Sequence, residues 1–106
     1  MDMTTDKNVF ELVVYKIKDD KIDHFTSKGL DEFRAFIQQF EGLIKPQTYI
    51  SNKEKGVFMD IVHWESADLA LKAAEAFKEL EKDPQHAEML GVFEEIRMFE
   101  HFNFLK

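Results

Sequence analysis

Val57-Phe58-Met59-Asp60-Ile61-Val62-His63-Trp64 is a run of β-branched, aromatic and other apolar side chains with one carboxylate in its middle. Such a composition reads as a strand. A sheet covered on one face and wet on the other alternates apolar and polar residues along each strand, and this stretch does not. Val57, Met59, Ile61 and His63 fall on one side; Phe58, Asp60, Val62 and Trp64 fall on the other. Neither set is polar enough to face water. The same holds for Val9-Phe10-Glu11-Leu12-Val13-Val14-Tyr15-Lys16-Ile17, where Phe10, Leu12 and Val14 oppose Val9, Glu11, Val13, Tyr15 and Ile17. A last strand, read over Arg97 to Leu105, sets Met98, Glu100, Phe102 and Phe104 against Arg97, Phe99, His101, Asn103 and Leu105. Helices can cover only one of these faces. The other calls for a further layer, and the simplest is a second copy of the same sheet in a twofold dimer.

Between the strands the period changes. Ile22, Phe25, Gly29, Phe33, Phe36 and Phe40 recur at steps of three and four, one stripe of a long helix. Gly29 on that stripe implies close backbone approach, a strand being the expected neighbour, and Gly42 ends the helix. Leu43 to Ser51 alternates as a strand that Pro46 assigns to a sheet edge, and Asn52-Lys53-Glu54-Lys55-Gly56 is its hairpin loop. Ser66 caps a second helix with Asp68 in its first turn and a buried stripe of Leu69, Ala73, Ala76, Phe77 and Leu80. Asp83-Pro84 starts a short helix carrying Ala87, Leu90 and Phe93. The order β-α-β-β-α-(α)-β, with right-handed crossovers, predicts one α+β domain over 1–106. Its architecture is a ferredoxin-like antiparallel sheet of order 4-1-3-2 with helices on one face.

Composition narrows the function. The 106 residues (12.5 kDa) carry 14 Lys and Arg against 21 Asp and Glu, a net charge of −7 with no basic block. Nucleic acid is therefore disfavoured as a partner, since phosphate-backbone affinity rests on cationic contacts. With no cysteine there is no disulfide framework, Cys-ligated zinc or thiol nucleophile. No apolar run approaches the ~20 residues of a membrane span. The acidic start Met1-Asp2-Met3-Thr4-Thr5-Asp6 is unlike a signal peptide. A cytoplasmic domain is the expectation. His24, His63, His86 and His101 show no i, i+4 pairing, so no metal site is written in their spacing.

Two short motifs, together with the order of elements, carry a family resemblance. They are His63-Trp64-Glu65-Ser66-Ala67-Asp68 and the turn Lys82-Asp83-Pro84-Gln85-His86-Ala87. The chain resembles the dimeric α+β barrel superfamily, in particular its antibiotic-biosynthesis monooxygenase-like group. The resemblance implies a homodimer formed by sheet-to-sheet packing, with a pocket between sheet and helices for a small hydrophobic or aromatic ligand. It also implies cofactor-independent monooxygenase chemistry, in which an electron-rich substrate reacts with oxygen without metal or flavin. Trp64 matches the group's tryptophan, Asp60 stands where an Asn or other polar residue is usual, and Ala74 where a His is common. Two other readings stay open. One is a non-enzymatic, small-molecule-binding or stress-associated dimer; the other is haem binding and degradation with His86 as ligand.

Several residues are candidates for chemistry. Asp60, a charge in mid-strand, needs a partner: either a salt bridge to Arg97 or Lys45, or a substrate proton. Glu11 and Asp60 lie on neighbouring strands in this topology, and facing one another in a dry cavity they would form an acid–base couple. His101 reaches the same space from the last strand and suits a proton shuttle. Trp64 shapes the cavity or packs the core. Tyr15 and Asn103 orient a substrate oxygen, while Phe58 and Val62 share a strand face with Asp60. His86 approaches from the last helix. Eleven phenylalanines supply both a core and walls congenial to a flat apolar ligand.

Overall fold

The computed structural model describes residues 9–106; the acidic start lies outside the described residues. Four strands, β1 (Val9–Ile17), β2 (Leu43–Ile50), β3 (Val57–Trp64) and β4 (Phe93–Asn103), form one antiparallel sheet in the order β2-β3-β1-β4. This is the expected 4-1-3-2 order counted from the opposite edge. Pro46, which has no N–H to donate, sits on the edge strand β2. The helices are α1 (Ile22–His24), α2 (Leu30–Ile37), α3 (Ala67–Leu80) and α4 (Ala87–Leu90). Among the described residues no helix is long and apolar enough to cross a membrane.

Register decides which side chains share a face. Across β1 and β3, Val9 faces Trp64, Glu11 faces Val62, Val13 faces Asp60 and Tyr15 faces Phe58. Across β1 and β4, Glu11 faces His101 and Val9 faces Asn103. These residues lie on the helix side, where two clusters form the core. One joins Tyr15, Ile17, Ile22, Phe25, Phe58 and Val92. The other joins Val9, Val62, Trp64, Ala70 and Ala73.

Among the described residues, none forms a layer over the helix-free face. Phe10, Leu12, Val14, Met59 and Ile61 are half-buried there, and Phe102 on β4 and Tyr49 on β2 are exposed. His63 stacks on Phe10 on this side, ring centroids 4.5 Å apart.

Local chemistry explains most boundaries. Ser66 Oγ accepts from the Leu69 N–H at 3.2 Å and starts α3; Asp83 Oδ1 accepts from the Gln85 N–H at 3.0 Å and, with Pro84, starts the 3₁₀ turn leading into α4. Gly42 stops the first helical segment with φ +94°, and its carbonyl accepts from the Glu65 N–H at 2.8 Å, tying that stop to the end of β3.

Four expectations are corrected. The long first helix is broken by a π turn, Phe25–Gly29, which joins α1 to α2 with the Leu30 N–H bonded to the Phe25 carbonyl. Gly29 approaches no strand: a Cβ there would meet the His24 and Phe25 side chains of its own helix at 3.4 Å. The buried stripe of α3 runs through Ala70, which the spacing missed. Finally, Phe93 is not helical, for β4 begins there and not at Arg97.

Candidate active site

A cavity of about 670 Å³ lies between the helix-side face of the sheet and α2, α3 and α4. Strand pleating puts Glu11, Val13 and Tyr15 of β1 into its floor, beside Asp60, Val62 and Trp64 of β3 and His101 of β4. Phe33, Phe77, Phe93 and Phe99 supply aromatic wall. A predominantly apolar enclosure with a few convergent polar groups is the usual form of a small-molecule site.

Two carboxylates organise the floor. Asp60 Oδ1 accepts from the Tyr15 hydroxyl at 2.9 Å and from the Thr48 hydroxyl at 2.8 Å. Thr48 in turn accepts from Arg34 Nη2 at 3.0 Å, so a cation on α2 supports the carboxylate through an edge-strand hydroxyl. Burial nevertheless holds the Asp60 carboxyl above its ordinary range, against the lowering effect of Thr48, Tyr15 and Arg34. Burial, with the Asp60 charge and hydrogen bond beside it, also pushes the Tyr15 phenol far above its usual value. Tyr15 therefore stays protonated and donates.

Glu11 Oε1 and His101 Nε2 are 3.1 Å apart across the β1–β4 ladder. Burial raises the Glu11 carboxyl above its ordinary range; His101 and Trp64 oppose the shift and the Asp60 charge adds to it. The Trp64 indole N–H is buried, has no hydrogen-bond partner of good geometry, and lies near enough to Glu11 to favour its charged form. Glu11 and Asp60 stand diagonally across β1 and β3, not directly opposite. They share the floor without bonding to one another among the described residues. Carboxyls raised toward neutrality beside an imidazole can take and return a proton.

Of the residues expected at the site, Asp60, Trp64, His101, Glu11, Tyr15 and Val62 come together in this cavity. Three do not. Phe58 is core and lines a separate, shallower groove with Arg34 and Thr48. Asn103 lies at the end of β4, level with Val9 and exposed. His86 packs against Phe36, ring centroids 5.0 Å apart, and is absent from the cavity wall. The one imidazole in that wall, His101, is engaged with Glu11, so these residues do not fit a haem held through His86. The salt-bridge reading of Asp60 is also replaced: Arg97 grips Glu54 in a bidentate pair at 2.8 and 2.7 Å, and Lys45 lies level with His63.

Sequence reasoning missed Thr48 and Arg34. Thr48 stands directly opposite Asp60 in the β2–β3 register, a pairing that could have been read once the hairpin Asn52–Gly56 was placed. Arg34 carried no such signal.

Sheet order, helices on one face and a cavity between them define a ferredoxin-like α+β protein with the fold of the antibiotic biosynthesis monooxygenase proteins. Solved structures share this fold. A protein from Caulobacter crescentus assigned to the antibiotic biosynthesis monooxygenases is similar at 17% identity over 97% of this chain and 94% of its own, TM-score 0.70. One with the same assignment from Bordetella bronchiseptica gives 13% over 94% and 99%, TM-score 0.69. SnoaB from Streptomyces nogalater, a cofactor-independent oxygenase, gives 16% over 94% and 93%, TM-score 0.62. At these identities the likeness is one of fold. No family model and no curated protein matches the sequence.

Proposed function

We propose that this protein is a cofactor-independent oxygenase that works as a homodimer on a small, electron-rich aromatic substrate of the quinol or anthrone type. The observation that carries the reading is the juxtaposition of the Glu11–His101 couple and Asp60 on the floor of one aromatic-walled cavity. The fold shared with SnoaB supports it. The helix-free face, apolar and not covered by any of the described residues, supports the homodimer through sheet-to-sheet packing.

The chemistry follows from the site. Glu11, coupled to His101, removes a proton from the activated C–H or O–H of the substrate. Asp60, held by Tyr15 and Thr48, fixes a ring hydroxyl. The resulting anion is electron-rich enough to pass one electron to dioxygen, and recombination of the radical pair forms a carbon–oxygen bond. For an anthrone, the protonated hydroperoxide then loses water, so a CH₂ group and one O₂ become a carbonyl and one H₂O. The protein's part is to orient the ring, accept the proton at the floor of an apolar-walled cavity and return it to the departing hydroxide.

Turnover of an anthrone under ¹⁸O₂, followed by mass spectrometry, tests this reading. One labelled oxygen in the quinone, formed well above the rate in buffer alone, is expected. Conversion no faster than in buffer would refute it.

A further inference from the structure

The charged and titratable groups in the cavity wall are Glu11, Asp60, Glu75, Glu81, Lys78, His101 and the Tyr15 phenol, which stays protonated. Four acids face one lysine and one imidazole. Arg34 supports Asp60 from behind through Thr48 and lines the separate groove, so it is not among the residues of the cavity wall. The deep floor is therefore acidic while the wall is aromatic. Each floor carboxylate also has a spare acceptor: Tyr15 and Thr48 meet Oδ1 of Asp60 and His101 meets Oε1 of Glu11, so that Oδ2 and Oε2 make no hydrogen bond of good geometry among the described residues. Beside Glu11 the buried Trp64 N–H makes no hydrogen bond of good geometry, though it lies close enough to Glu11 to favour its charged form.

From this arrangement we infer that the cavity selects uncharged aromatics bearing a hydroxyl group, and that Glu11 and Asp60 shut out aromatics bearing a carboxylate. A ring hydroxyl donates to a spare carboxylate oxygen. An ether at the same position cannot donate, and leaves that oxygen desolvated and unpaired. Once both floor carboxyls are ionised, above their raised folded values, a ligand carboxylate adds like charge beside them in a site of low polarity, with no arginine or lysine among the floor residues. The inference rests on the reading of this cavity as an aromatic-substrate site.

The test is binding, without turnover and in mildly alkaline buffer that ionises both floor carboxyls and leaves naphthol neutral, of three probes that differ in one substituent: 2-naphthol, 2-methoxynaphthalene and 2-naphthoate. Trp64 is the only tryptophan, so the single indole N–H signal of ¹⁵N-labelled protein, titrated under nitrogen, reports cavity occupancy. The expected order is naphthol at least tenfold tighter than the methyl ether and at least a hundredfold tighter than naphthoate. Glu11→Gln and Asp60→Asn should each narrow the naphthol–naphthoate gap at least tenfold. Naphthoate binding within threefold of naphthol to the native protein, or no probe shifting the indole signal, would overturn the inference. The native ranking needs no variant to fold. Selectivity without oxygen uptake would refute the oxygenase and keep this inference; oxygen uptake without selectivity would do the reverse.

Discussion

Glu11 on β1 and His101 on β4 face each other across the sheet, and their side chains meet at 3.1 Å on the floor of the cavity. Ninety residues of chain separate them. Only the central position of β1, paired with β3 on one side and β4 on the other, brings the imidazole to the carboxylate and sets Asp60 diagonally beside it.

The two raised carboxyls give stability a pH dependence of definite sign. Folded, Glu11 and Asp60 hold their protons to higher pH than they do unfolded. Their contribution is therefore complete below the ordinary carboxyl range and is lost as pH rises through the folded values. Glu11→Gln should flatten that decline. Urea midpoints measured from pH 4 upward check it; a variant declining as steeply as the native chain would show that Glu11 is not the group responsible.

Tyr15→Phe removes a fully buried hydroxyl that donates to a carboxylate. Hydrogen bonds to charged groups are worth about 1.5–3 kcal/mol, so a loss of about 2 kcal/mol is expected in chemical denaturation. Asp60 should then titrate at still higher pH, measurable from its carboxyl ¹³C shift. A Tyr15→Phe protein unchanged in both would mean that this bond does not hold Asp60.

Glycine replacements should separate two kinds of position. At Gly42, φ is +94° and a Cβ would sit 2.7 Å from the Leu69 side chain. Gly42→Ala combines left-handed strain of about 1–2 kcal/mol with overpacking of about 1–3 kcal/mol, and thermal unfolding should report a marked loss. Gly29→Ala meets ordinary contacts at 3.4 Å and should gain up to about 1 kcal/mol of helix propensity. Reversal of that order would contradict the packing described for Leu69.

The uncovered face predicts an assembly. Ile61 lies at its centre on β3, half-buried in the single chain. Native protein should sediment at twice the 12.5 kDa chain mass, and Ile61→Glu, which places a charge in the proposed sheet-to-sheet layer, should sediment at the chain mass while keeping its fold. A native protein that stays folded at 12.5 kDa on dilution would remove the dimer.

What the sequence disclosed follows from which forces act locally. β1 and β3 carried unbroken strand composition, and Ser66 and Gly42 marked helix ends by their own chemistry, so sheet order and connections were legible. The start of β4 was not. Register shifts between Val14 and Tyr15 and between Lys16 and Ile17 break its alternation, and the spacing from Leu90 to Phe93 mimics a helical step. The π turn at Phe25–Gly29 hid for a related reason: its apolar residues still recur at three and four. Six site residues were found because pleating alone assigns them to one face. The support of Asp60 was not found, because Thr48 is specified by register and Arg34 by how α2 lies over the edge strand.

Proton transfer by the carboxylate floor in a reaction with dioxygen can be measured. Oxygen-electrode traces with an anthrone, for native protein, Glu11→Gln and Asp60→Asn, test it most directly. One O₂ consumed per substrate is expected, with a rate about 100-fold lower or more in Glu11→Gln and Asp60→Asn also impaired. Uptake at the buffer rate with native protein, or equal rates in all three proteins, would contradict it.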